Sequence, residues 1–236
     1  MIRDSAMETS LHRQLKALYA GLDDRQEVKL GGYRIDVMRG AELVEIQHGS
    51  LLAIRDKVRR LAEEHQVLVV KPIVARKTLV RISENGREVS RRQSPKRGTL
   101  LDIFTELVYF TQTFPHPQLA LELRLVEIEE LRKPGHGRRR RWRRDDHIVV
   151  DQRLLTVGEA HRLSSAADLL GLLPSPLPSP FHTAQLAAVA DVSRGTAQRI
   201  AYCLREMRAV EAVGKKGNAW LYRVRRTSPG RTRRSA

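Results

Sequence analysis

The stretch YRIDVMRGAELVEIQHGSLLAIRDKVRRLAEEHQVLVVKPIV, residues 33–74, decides the fold. Its first two runs, YRIDVMR and ELVEIQH, carry β-branched and aliphatic residues at strand spacing and meet at Arg39-Gly40-Ala41-Glu42, which reads as a hairpin. With Gly40-Ala41 as a two-residue turn, Asp36 falls opposite Glu45 and Arg34 opposite Gln47. Ser50 can cap a helix whose stripe is Leu51, Ile54, Val58, Leu61 and Ala62. VLVVKPIV is the continuous apolar run of a buried strand, and TLVRIS reads as a further strand. Upstream, Leu11, Leu15, Leu18, Tyr19 and Leu22 recur at helical spacing, predicting an amphipathic helix from Met7 to Leu22, and Gly31-Gly32 breaks the chain after it. Helix, strand, strand, helix and strand make an α/β unit.

Beyond a basic loop at 91–98, LLDIFTELVYFTQTF reads as a helix. LALELRLVEIEEL and HIVVDQRLLTV read as a hairpin whose long tip is the Arg-rich run LRKPGHGRRRRWRR. SSAADLLGLL suggests a short helix capped by Ser164 or Ser165. PSPLPSP, 174–180, is a stiff linker and the most visible domain boundary. After it come HTAQLAAVAD as a helix, a turn at Asp191-Val192, a second helix capped by Ser193, and VEAV and AWLYRV flanking GKKGN as a hairpin. This order over 181–225 resembles a winged helix-turn-helix domain. The expected division is a core at 1–90, a basic extension packed on it at 91–173, the linker, the 181–225 domain and a disordered basic tail at 226–236.

Charge sharpens the picture. The 236 residues hold 43 Lys and Arg against 27 Asp and Glu, a formal net charge of +16, which calls for a polyanionic partner. The first 66 residues nevertheless carry as many acids as bases, so the excess belongs to the remainder. The single cysteine, Cys203, excludes an intramolecular disulfide and a cysteine-cluster zinc site. No apolar signal opens the chain, and four prolines interrupt the longest uncharged stretch, so a cytoplasmic protein with no membrane partner is expected.

Asp36 and Glu45 lie among Ile35, Val37, Val44 and Ile46. Like charges facing one another in a buried sheet are costly unless a cation lies between them. Mg²⁺, or Mn²⁺, is commonly held by one or two carboxylates plus water and phosphate oxygens, which this pair could provide. Glu8 lies in the stripe of the first helix and could reach the same metal, and His12, one turn on, shares its face. At these residues the chain resembles the PD-(D/E)xK nuclease superfamily: a helix bearing an acid, then Asp36, then Glu45-Ile46-Gln47, then the helix and strand of 50–74. The resemblance implies a restriction-endonuclease-like core and metal-dependent phosphodiester hydrolysis, with Asp36, Glu45 and Glu8 as metal-binding acids. Ile35 stands where the family commonly has Pro, and Gln47 stands at the Lys position. Gln can orient water but brings no charge, so a cation must come from elsewhere: Lys71 on the next strand first, Lys57 on the second helix after it.

Other chemistries find no support in the motifs. The histidines show no HxxxH or HExxH spacing, no Walker-type glycine loop occurs, and Cys203 has no nearby His. For DNA, the second helix of the C-terminal domain puts Ala197, Ile200, Ala201, Leu204 and Met207 inward. Arg194, Gln198, Arg199, Tyr202 and Arg205 are left outward. Arg and Gln can read base edges, Ser193 and Thr196 can bond phosphate, and Lys215 and Lys216 on the hairpin can contact backbone. Arg139, Arg140 and Arg141 could grip backbone while Trp142 stacks on a base. The reading is a Mg²⁺-dependent DNA endonuclease, with a homodimer implied if both strands are cut. Its rivals are a catalytically inactive DNA-binding regulator, with Gln47 marking lost activity, and a subunit of a nucleic-acid-processing assembly.

Overall fold

Thr9 closes the first turn of α1 (Ser10–Tyr19) by accepting the His12 N–H on its side chain. The computed structural model describes residues 9–135 and 146–225, so Glu8, Arg139, Arg140, Arg141, Trp142 and the 226–236 tail lie outside the described residues. The helix is shorter than its hydrophobic spacing predicts. Leu11, Leu15 and Tyr19 are buried, whereas Leu18 is exposed and Leu22 lies fully in solvent beyond the helix end. Burying each large side chain is worth about 1.5–3 kcal/mol, so three suffice to seat the helix.

The chain divides into two compact units, 1–164 and 165–236. The first is built on one mixed sheet. β1 (Arg25–Leu30), β2 (Tyr33–Arg39) and β3 (Glu42–Ile46) form an antiparallel meander. β1 has no counterpart in the expected order, because RQEVKL has one β-branched residue and occupies an edge largely open to solvent. Gly40, at φ +55°, makes the tight β2–β3 turn that sets Val37 opposite Val44 and Arg39 opposite Glu42, the register expected from sequence. A 3-10 turn at Leu51–Ile54, capped by Ser50, runs into α2 (Arg55–Leu61).

β4 (Gln66–Ile82) then returns parallel to β3. VLVVKPIV and TLVRIS are therefore one strand, not two: the polar Ala75-Arg76-Lys77 break is a bulge between Val74 and Arg76 within continuous pairing to the next long strand. The expected basic loop at 91–98 is in part β5 (Glu88–Gln93), antiparallel to the far half of β4. The predicted long helix after it is only a 3-10 turn and α3 (Ile103–Leu107). β6 (Leu119–Pro134) lies parallel along β4, and β7 (His147–Leu163) lies antiparallel to β6, the expected long hairpin. Residues 1–90 and 91–173 are accordingly not core and extension, since β4 shares its sheet with β5 and β6 across that boundary.

α1 covers one face, its Leu11, Leu15 and Tyr19 against Val37, Val44, Ile46, Leu68, Val70, Val126 and Ile128. Ser10 fastens its start to β7 by donating its N–H and hydroxyl to the two carboxylate oxygens of Asp151 (2.9 and 2.7 Å). Tyr19 fastens its end by donating to buried Glu122, and Arg124 Nε donates back to the Tyr19 oxygen (2.8 Å). Strand alternation turns Leu43, Glu45, Val67 and Val69 to the other face, where α2 lies.

The second unit contains α4 (Ala166–Gly171), α5 (Thr183–Val189), α6 (Arg194–Glu206) and the antiparallel hairpin of β8 (Val210–Lys216) and β9 (Ala219–Val224). The boundary therefore falls at 164/165, ahead of α4 and the Pro-rich stretch expected to be the linker. Phe181 pairs with Tyr222 as a short bridge beside the hairpin. Ala197, Ile200, Ala201, Leu204 and Met207 are buried as expected. Ser193 accepts the Thr196 N–H at the start of α6 (3.1 Å). Ser193→Ala is expected to destabilise this unit by about 1 kcal/mol, read as a lower urea midpoint at unchanged slope. Among the described residues, no helix is long and apolar enough to cross a membrane.

Candidate functional site

β2 and β3 pair as far as Val37 and Val44, and the next position is where the acids sit. Asp36 Oδ2 accepts the backbone N–H of Ile46 (2.8 Å), so a carboxylate takes the place of a strand carbonyl. Its Oδ1 meets Nε2 of His12 (3.1 Å), reached from α1, whose two ends are held by Asp151 and Glu122. Glu45, 8 % exposed, sits one residue before Ile46. Its Oε1 accepts from Lys57 Nζ of α2 (2.5 Å), and the same ammonium also donates to the Arg34 carbonyl. Glu45 Oε2 is buried without a hydrogen-bond partner.

These surroundings push the two carboxyls apart. Burial works against ionising Asp36, but the bonds from His12 and the Ile46 N–H, with the charge of Lys57 behind them, hold it below the usual carboxylate range. Burial and the adjacent Asp36 charge raise Glu45, and Lys57 offsets only part of that rise. Two neighbouring acids tuned in opposite directions are a frequent mark of a working site.

Gln47 continues the same edge. Its N–H bonds the Val70 carbonyl (2.9 Å), and its side-chain amide donates to the Ser50 carbonyl (2.8 Å). Lys71 follows Val70 on β4, but its ammonium is engaged by the carbonyls of His48 and Gly49 and lies 3.8 Å from Glu106. Burial lowers its pKa, with Glu106 opposing. The expected ranking of the lysines is therefore reversed: Lys57 is brought to the carboxylates, and Lys71 braces the loop after β3. A signal for Lys57 was present, since it lies three residues after Ile54 and four before Leu61 and so shares their buried helix face. Half-buried His48 is lowered by burial first and then by the charges of Lys71 and Lys77.

Among the described residues, no group of three or more His, Cys, Asp or Glu side chains gathers at one point. A metal would take two carboxylates from these residues, within what Mg²⁺ accepts. The partnerless Glu45 oxygen beside ionised Asp36 fits a hard divalent cation.

In the second unit, Ser193, Arg194, Gln198, Arg199, Tyr202, Lys215 and Lys216 are exposed, and Thr196 is half-buried. Arg194, Gln198, Tyr202 and Arg205 of α6 line one cleft with Asn218 and Trp220 of the hairpin. Trp220 and Asn218 were not expected there. The signal for Trp220 was its place directly across the hairpin from Lys215, a residue already assigned to the surface.

No solved structure matches the chain. A protein of Treponema pallidum (strain Nichols), described as an uncharacterized protein, is 30 % identical over 227 residues, covering 94 % of this chain and 88 % of that one. A family model described as a domain of unknown function, DUF8091, matches residues 9–164, a range that takes in all the described residues of the first unit. The chain therefore belongs to the DUF8091 family.

Proposed function

We propose that the protein is a metal-dependent DNA endonuclease of the PD-(D/E)xK type, brought to its substrate by a C-terminal winged helix. The observation that carries the reading is the buried, partnerless oxygen of Glu45 beside Asp36, where β2 and β3 part in a helix, three-strand meander, helix, parallel-strand order. In support of the second half, a helix, a turn, a capped helix with exposed Arg and Gln, and a basic hairpin follow one another in 181–225.

Asp36 and Glu45 would hold Mg²⁺ or Mn²⁺. Bound there, the ion supplies Lewis-acid polarisation of a phosphate oxygen and lowers the pKa of water. The remaining work belongs to the chain. His12 donates to Asp36 and keeps its carboxylate aimed while leaving it ionised. The Lys57 ammonium, bonded to Glu45, takes the electrostatic role that Gln47 lacks, stabilising charge that builds on the phosphate. The Gln47 amide, tied to the loop carbonyl of Ser50, can orient water once it turns from that bond. The same Gln47 contact also favours the rival reading, a DNA-binding regulator whose hydrolytic site has lapsed.

A thermal melt separates the two without relying on turnover. An ion that binds only the folded protein at 100 times its Kd stabilises by about 2.7 kcal/mol, which moves the Tm of a chain this size by roughly 5–10 °C. Mn²⁺ is expected to raise the Tm of the wild type and leave that of Asp36→Asn unmoved, and supercoiled DNA is expected to be nicked only by the former. A wild type with neither a metal-dependent Tm nor cleavage would leave the regulator.

A further inference from the structure

Two aromatic rings stand open to solvent in the second unit, Tyr202 on α6 at 39 % and Trp220 on β9 at 46 % exposure, and both line the cleft between helix and hairpin. Each has a cation above its ring. Lys215 Nζ lies 4.4 Å from the Trp220 ring centre and the Arg205 guanidinium 5.9 Å from that of Tyr202. Arg205 also donates to Glu206 (2.7 Å), so the net positive charge comes from Arg194, which lines the cleft, and from Lys215 over the Trp220 ring. Each ring leaves more than a third of its surface open, and Tyr and Trp, with an apolar body and a polar handle, are enriched at binding interfaces. A nucleotide offers two things in one unit, a flat π face and an anionic phosphate. Each ring with its cation matches that pair at a spacing of a few ångströms. In a duplex the bases are stacked on one another and hide those faces, so the match is to unpaired nucleotides.

We propose that the cleft between α6 and the β8–β9 hairpin is a stacking site for single-stranded DNA, in which Tyr202 and Trp220 each take a base while Lys215 and Arg194 meet the flanking phosphates. This rests on the part of the proposed function that assigns 181–225 to DNA, and it names the form of DNA. The outer end of α6, with Ser193 and Arg199, stays available to a neighbouring duplex, so the preferred substrate is a junction of single and double strand.

The test uses the full chain in EDTA, so that the Asp36–Glu45 site takes no part. Affinities for an oligo-dT strand and for a duplex of equal length are measured by fluorescence anisotropy for the wild type, Tyr202→Ala, Trp220→Ala and Trp220→Phe. Circular dichroism and a melt check that each is folded. Removing a stacking ring is expected to weaken dT binding between about fivefold and a hundredfold. Duplex affinity should change less than twofold, and Trp220→Phe should retain most dT binding because it keeps a π face. Photocrosslinking the wild type to bromodeoxyuridine-substituted strands should place adducts at Tyr202 or Trp220. Equal losses on both DNAs, no loss on either, or adducts only elsewhere would overturn the stacking site. Duplex binding that survives those outcomes leaves the winged-helix assignment standing, and failure to bind either DNA removes both.

Discussion

Asp36→Asn is expected to lower Mg²⁺-dependent cleavage on the order of a thousandfold, the scale seen when one preorganised electrostatic element is removed from a reacting phosphate or carbonyl. The substitution keeps the acceptor for the Ile46 N–H, so the β2–β3 junction and the overall stability should be little changed. The measurement is single-turnover nicking of supercoiled DNA at saturating metal, with the melt as control, and an Asp36→Asn protein at the wild-type rate would sink the site. Acid should act on the wild type through Glu45. Burial and Asp36 raise its pKa in the metal-free protein, so a proton competes with the metal at Glu45 before it does at Asp36, and more metal should be needed for the same rate as pH falls.

The largest effect on stability is expected at Glu130→Ala, about 3–5 kcal/mol. Glu130 is 3 % exposed on β6 and bonds Lys77 of β4 (2.6 Å), Arg132 (2.5 Å) and Gln152 of β7 (2.8 Å), so its loss strands two cations and an amide across three strands. Burial opposes its ionisation, but Lys77, Arg132 and Gln152 outweigh burial and bring its pKa down to about 2. A depressed carboxyl contributes stability that is complete above its unfolded value and is lost as pH falls through its folded one. The wild type should therefore lose about 3 kcal/mol between roughly pH 5 and pH 2 through this group. Glu130→Ala should start lower and fall less over that window. Urea unfolding at pH 7, 5 and 3 reads both quantities, and parallel pH slopes for the two proteins would refute the role.

Much of the frame was legible because its signals are local. The Gly40-Ala41 turn fixed the β2–β3 register, and from it the approach of Asp36 to Glu45 followed. Ser50 and Ser193 were read as caps and both accept the hydrogen bonds of caps. What escaped depends on contacts distant in sequence. Ala75-Arg76-Lys77 looks like a loop until Lys77 is seen to be aimed at Glu130, which makes a charged bulge tolerable inside one strand. Leu18 and Leu22 matched the helical period, yet α1 ends at Tyr19, and no periodicity reports where a helix leaves its sheet. From sequence, Lys71 on the next strand ranks ahead of Lys57 on the second helix. The ranking reverses because the loop carbonyls of His48 and Gly49 engage Lys71, with Glu106 behind them, while α2 delivers Lys57 to Glu45, and neither contact is local in sequence.

The undivided length of β4 also limits how the protein can be taken apart. Its near half carries the partner strand of the acidic hairpin, and its far half carries β5, with β6 alongside both. A fragment cut at residue 90 would keep the two acids and lose the strand that completes the sheet beneath them. The smallest piece worth transplanting into another protein is therefore the whole of 9–164, and it would travel as one cassette.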